Sequence, residues 1–203
     1  MLTADQALGR LQRGNATFVE RDHAIIEIDT RRRSELAEQQ DPFAIILGCS
    51  DARVPAELIF NQGLGELFVI RVAGNIVAPS QVGSVEFAAE KFGTRLVVVL
   101  GHSRCGAVAA SLQQLQTPTE QRSPNLKSIV SRISPALEPL LAEATPDNAD
   151  QLLGAAVRAN VRASVQQLKQ GSDVLEQLIR AEGLRIVGAE YDLDTGVIDF
   201  FDV

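Results

Sequence analysis

The sequence predicts an α/β fold: a central, mainly parallel β-sheet with an antiparallel edge strand, flanked by helices on both faces, with an N-terminal helical arm. Three observations carry that reading. Short apolar or β-branched runs recur at 43–47, 67–71, 96–100 and 184–190, and helical patterns separate them. Near the end of the chain, Asp194-Thr195-Gly196 stands between two β-like stretches. Alternating strands and helices build right-handed βαβ crossovers, which lay helices on both faces of a parallel sheet.

Residues 3–19 place Leu8, Leu11, Phe18 and Val19 near one face at helical spacing, with Thr3 as N-cap and a break expected near Gly14. Residues 31–40 read as a second helix, completing an arm over 1–40; Asp41-Pro42 ends it before the first strand. Pro55 suits the first turn of a short helix through Phe60, and Ser80 is expected to cap a helix to Phe92, with Gly93 just beyond. Four prolines, Pro118, Pro124, Pro135 and Pro146, make 117–150 an excursion of short helices. Residues 147–170 and 172–182 are helical in pattern, each followed by glycine. After the turn at 194–196, residues 197–201 fold back as the antiparallel edge strand.

With 203 residues and 45% hydrophobic composition, the chain can bury one sizeable core, so a single domain over 1–203 is expected. The net charge of -7 repels phosphate backbones, which argues against nucleic acid as a partner. Arg31, Arg32 and Arg33 read as a solvated helix face. No apolar stretch reaches the roughly 18 residues of a membrane helix and no leader pattern is visible; no membrane association and a cytoplasmic location are expected.

Two cysteines are too few for a disulfide framework, which leaves one bridge or a metal site as the alternatives. Their neighbours favour metal. Cys49 lies two residues before Asp51, and Cys105 three after His102. Both pairs follow predicted strands, where parallel sheets gather their ligand sites. In extended chain, residues i and i+2 project to one side, so Cys49 and Asp51 can address one point. A turn between His102 and a helix opening at Cys105 can aim both of those side chains at it. Two sulfurs, one nitrogen and one carboxylate oxygen suit tetrahedral zinc, whereas magnesium and calcium prefer all-oxygen shells.

Four protein ligands would ordinarily mark a closed structural site. Arg53 offers Asp51 an alternative, a bidentate charge-assisted pair that would free the fourth position for water. Two thiolates plus a carboxylate leave zinc with a net negative charge and weak Lewis acidity; releasing the carboxylate restores neutrality.

The combined motifs resemble the β class of carbonic anhydrases. The resemblance rests on Cys49-Ser50-Asp51-Ala52-Arg53-Val54-Pro55-Ala56-Glu57, on Gly65-Glu66-Leu67-Phe68-Val69-Ile70-Arg71 with Ala73-Gly74-Asn75, and on Gly101-His102-Ser103-Arg104-Cys105-Gly106. It implies reversible hydration of carbon dioxide to bicarbonate and a proton, with one Zn2+ per subunit on Cys49, His102 and Cys105. Asp51 and Arg53 would form the catalytic dyad. Asp51 ligates zinc in a closed form; in the open, active form it pairs with Arg53 and accepts a hydrogen bond from zinc-bound hydroxide. Gln40, nine residues before Cys49, matches a glutamine that orients substrate, and Gly106 would supply a backbone N–H.

Some members of the class carry a regulatory bicarbonate pocket of tryptophan, arginine and tyrosine. Arg71 and Tyr191 stand at matching places, but Ile46 replaces the tryptophan, so that regulation is not expected and Arg71 reads as a structural ion-pair residue. His23, outside the metal motif, is the one further histidine that could export protons, and a surface role suits it better. The class implies a homodimer or higher even-numbered homo-oligomer whose N-terminal helices wrap a neighbour. Carbon disulfide and carbonyl sulfide hydrolases of similar appearance share the metal motifs, and a nonenzymatic zinc protein could use the same ligands to tie two loops.

Overall fold

The fold follows from strands that alternate their side chains between two layers of helix. In the computed structural model, which describes residues 2–20, 30–118, 123–143 and 145–201, five strands form one sheet: β1 (Ala44–Gly48), β2 (Leu67–Arg71), β3 (Leu96–His102), β4 (Arg185–Tyr191) and β5 (Ile198–Phe201). Their order is β2-β1-β3-β4-β5; the first four are parallel and β5 is antiparallel to β4, as expected from the 194–196 turn.

Successive residues of a strand face opposite sides. Ala44, Ile46, Val98, Leu100, Val187 and Ala189 meet Leu8 and Leu11 of helix α1 (Ala4–Glu20) together with Ile59 of α3 (Ala56–Ile59). Ile45, Leu47, Val97, Val99 and Ile186 meet the opposite layer: α4 (Pro79–Lys91), α7 (Ala149–Gln170) and α8 (Asp173–Glu182). The central strands β1 and β3 are buried on both faces, which explains why their sequences are continuous apolar runs rather than alternating ones.

Thr3 caps α1 as expected: its Oγ1 accepts from the Gln6 N–H at 3.3 Å, and Gln6 Oε1 accepts from the Thr3 N–H at 2.9 Å. The expected break at Gly14 does not occur. The helix runs through it, because Gly14 serves close packing: a Cβ there would lie 1.9 Å from the Phe60 carbonyl oxygen. Gly14→Ala is therefore expected to lower stability by about 1–3 kcal/mol, read from the urea midpoint, in spite of alanine's better helix propensity. An unchanged midpoint would show that the two backbones can part freely.

The first helix is no free arm within its own chain, since Leu11 is fully buried against the sheet. Helix α2 (Thr30–Glu38) buries none of its residues. His23 lies outside the described residues. Helix α4 begins two residues earlier than expected, with Ala78 as N-cap and Pro79 in the first turn; proline's fixed φ fits that position, and Ser80 sits inside the helix. The excursion over 117–150 follows α5 (Gly106–Gln116) and holds α6 (Pro124–Leu137) and short 3-10 turns, packed on α7 through Ile133, Leu137, Leu152 and Val157. Among the described residues, no helix is long and apolar enough to cross a membrane.

Candidate metal centre

After β1 the chain turns toward β2, and after β3 toward β4, so the crevice between the carboxyl ends of β1 and β3 is where the sheet order switches direction. Such a crevice is the natural ligand position of an open parallel sheet. Cys49 leaves β1 on one side of it. Strand β3 runs two residues further than expected, so His102 is its last residue, paired in register with Tyr191. Arg104 then adopts φ 54, turning the chain into α5 with Cys105 as N-cap.

These two loops bring Cys49, His102 and Cys105 together, all buried, with ligand atoms within 4.8 Å of one another. The sulfurs are 4.0 Å apart and unbridged. Two thiolates on a tetrahedral zinc lie about 3.8 Å apart, given Zn–S bonds of about 2.3 Å. His102 is oriented by its other nitrogen: Nδ1–H donates to the Ser103 carbonyl oxygen at 3.0 Å, which leaves Nε2 as the acceptor. That Nε2 is buried and has no hydrogen-bond partner among the described residues. A buried imidazole acceptor beside two thiols is a donor set that fits zinc.

The thiols differ in ionisation. The Cys49 thiol is brought down to about 4, chiefly by its contact with Cys105 and, against the opposing effect of burial, also by His102 and the Gly74 N–H. The latter donates to its sulfur at 3.3 Å. Cys105 is driven up by its contact with that sulfur, then by burial and the negative charge beside it. A divalent ion bound by both sulfurs would displace any proton the pair shares.

Asp51 is not in the buried cluster. Its carboxylate takes a bidentate pair from Arg53, with Nε donating to Oδ1 at 2.9 Å and an Nη to Oδ2 at 2.8 Å, while the Arg53 backbone N–H adds a third bond at 3.0 Å. Oδ2 stands 3.8 Å from His102 Nε2. Of the two arrangements expected for Asp51, this is the one paired with Arg53. The guanidinium holds its carboxyl well below the usual carboxylate range.

Gly106, expected to offer a backbone N–H, sits exposed at the start of α5, and beyond its chain neighbours and its own helix backbone no described atom lies within 4 Å of where its Cβ would be. Gln40 is not brought to the site within its own chain. It is exposed ahead of β1, whose five residues span roughly 16 Å, and the segment is pinned at that far end by a 2.7 Å bond from Thr94 Oγ1 to the Pro42 carbonyl.

Other residues named in the sequence take parts that the sequence reading did not give them. Arg71 forms no ion pair among the described contacts; it donates to the carbonyls of Cys49 and Asp51 at 2.9 and 2.5 Å, clamping the loop that bears the first ligand. Gly74, with φ 68, turns its N–H onto the Cys49 sulfur. The Gly-Asn pair was the available signal, since both residues tolerate left-handed backbone. Tyr191 is buried against Phe18, with ring centroids 6.5 Å apart.

Comparison with known proteins accords with this geometry. A family model described as carbonic anhydrase matches residues 44–198, which span both loops. The chain belongs to the β-carbonic anhydrase family. Among its relatives, a carbonic anhydrase of Mycolicibacterium smegmatis is 36% identical, covering 93% of this chain and 89% of that protein. Carbonic anhydrase 2 of Mycobacterium tuberculosis is 37% identical, covering 92% and 87%. Among solved structures, the β-carbonic anhydrase CafA of Aspergillus fumigatus superposes with a TM-score of 0.75 at 25% identity, covering 98% of this chain and 90% of that one. The mostly parallel sheet, the antiparallel edge and the helices on both faces are the fold of β-carbonic anhydrases.

Proposed function

We propose that this chain catalyses the reversible hydration of carbon dioxide to bicarbonate and a proton, with one zinc ion per subunit held by Cys49, His102 and Cys105. The observation that carries the reading is the buried, unpartnered His102 Nε2 facing two unbridged sulfurs, with the Asp51–Arg53 pair alongside. Bound there, zinc supplies the Lewis acidity that ionises water near neutral pH.

The chain's own groups do the rest. Arg53 keeps Asp51 charged and turned from the ligand cluster. Asp51 then accepts a hydrogen bond from the O–H of the attacking oxygen, leaving its lone pair directed at the carbon of carbon dioxide. As that carbon bends, negative charge grows on its oxygens, and the Gly106 N–H at the start of α5 donates to one of them. For Gln40 to donate to a bicarbonate oxygen it must come from a neighbouring copy. That requirement accords with a homodimer or larger even-numbered homo-oligomer in which α2, with no residue buried in its own chain, lies against a partner.

Zinc quantification on purified protein, joined to stopped-flow carbon dioxide hydration across pH, tests the reading. About one zinc per chain is expected, with turnover rising as pH rises. The sign follows from Asp51. Its depressed carboxyl stays charged until strong acid, so it is not the group whose deprotonation raises the rate. The midpoint is expected near or above neutrality, where water on a cation ionises; a midpoint near pH 4, or absence of zinc, would refute the assignment.

A further inference from the structure

Helix α7 buries an apolar face, Val157, Val161 and Val165, yet two polar side chains sit within it: Asn160 is 2% exposed and Ser164 3%. Polar groups in such a place destabilise unless they are hydrogen bonded. One helical turn apart, both spend their donors on successive carbonyls of one turn. Asn160 Nδ2 donates to the Gly74 carbonyl at 2.8 Å, and Ser164 Oγ to the Asn75 carbonyl at 3.1 Å.

That turn needs restraint. Gly74 and Asn75 have φ 68 and 43, two consecutive left-handed residues of which the second is not glycine. What the turn delivers is one N–H, from Gly74 to the Cys49 sulfur. A hydrogen bond to a ligating sulfur draws charge from it, and outer-shell bonds of this kind set ligand orientation and donor strength.

We propose that Asn160 is a positioning residue for the metal centre: through the Gly74 carbonyl it aims the Gly74 N–H at the Cys49 sulfur, and so sets how strongly that sulfur donates to the ion. The inference rests on the zinc reading above. It assigns a part in the site to a helix that touches neither ligand loop in sequence, with Ser164 as its companion on the next carbonyl.

Cobalt(II)-loaded protein gives a readout that packing alone does not move, the thiolate-to-cobalt charge-transfer absorption. In Asn160→Leu, which keeps the branched shape at greater volume and removes the donor, that band is expected at longer wavelength, because an unbonded sulfur holds its electrons less tightly. Loss of zinc to a chelator is expected about tenfold faster. Ser164→Ala should move the band less, in the same direction. Where Asn160→Leu does not fold, Asn160→Ala removes the donor without adding bulk and carries the decision. An unmoved band in a folded, metal-loaded Asn160 variant overturns the proposal, even if stability falls. Absence of any thiolate-to-cobalt band in the unsubstituted protein would instead overturn the zinc reading.

Discussion

Cys105→Ser is expected to lose bound metal and carbon dioxide hydration together. The side chain is 1% exposed at the start of α5, and its sulfur lies 4.0 Å from that of Cys49. A serine hydroxyl in that place is smaller, harder and far less acidic than a thiol, so it stays protonated and offers a cation a weak donor. Two ligands then remain for an ion that needs three from the protein and one more for chemistry. Zinc content by elemental analysis and hydration by stopped flow should both fall to background, while circular dichroism keeps the wild-type helix signal, because the buried apolar surroundings of the site are unaltered. A variant that retains full zinc and full turnover would remove Cys105 from the ligand set.

Asp51→Ala has the second-largest expected effect, and of a different kind. The carboxylate stands outside the buried trio and is bound by Arg53, so its removal should leave about one zinc per chain. Turnover should nevertheless fall by roughly 10²–10⁴-fold, the range for removing a positioned general acid or base. The loss should appear in kcat rather than in metal affinity. Arg53→Ala gives a companion result. Its carboxylate partner is released toward His102 Nε2, now 3.8 Å away, and can compete for the fourth position. Zinc would be retained or held more tightly while the rate falls, most at low pH, where less hydroxide is available to compete with the carboxylate. Loss of zinc from Asp51→Ala would show instead that the carboxylate is a structural ligand.

Much of this molecule was legible in its sequence because the relevant signals are local. The apolar runs of β1 and β3 declare strands buried on both faces, and Asp194-Thr195-Gly196 declares the reversal before β5. The short spacings of Cys49 with Asp51, and of His102 with Cys105, put donors on adjoining turns of chain, so only the joining of the two loops required the sheet. What escaped was long-range. Gly14 reads as a helix breaker until Phe60 is brought within touching distance. Arg71 reads as a charge seeking a charge, whereas the fold presents it with two carbonyl oxygens. Asn160 and Ser164 lie about 85 to 90 residues from the turn they hold, and nothing in their neighbourhood within α7 distinguishes them from polar residues on a wet face.

The Arg71 clamp has a dynamic consequence. With the carbonyls of Cys49 and Asp51 both tethered, and the Asp51 carbonyl also receiving the Val54 N–H at 3.1 Å, the main chain on either side of Ser50 has little room to swing. On the zinc reading, exchange of the carboxylate between guanidinium and ion would run through rotation about its own two side-chain bonds. Such rotations are intrinsically fast beside loop rearrangements, with the breaking of the ion pair as the main barrier. On that same reading, on-off control at this position would be a rotamer and not a lid: relaxation dispersion should stay flat at the backbone amides of residues 49, 50 and 54, while the Asp51 carboxyl carbon and the Arg53 amide, which loses its bond to Oδ1, report exchange.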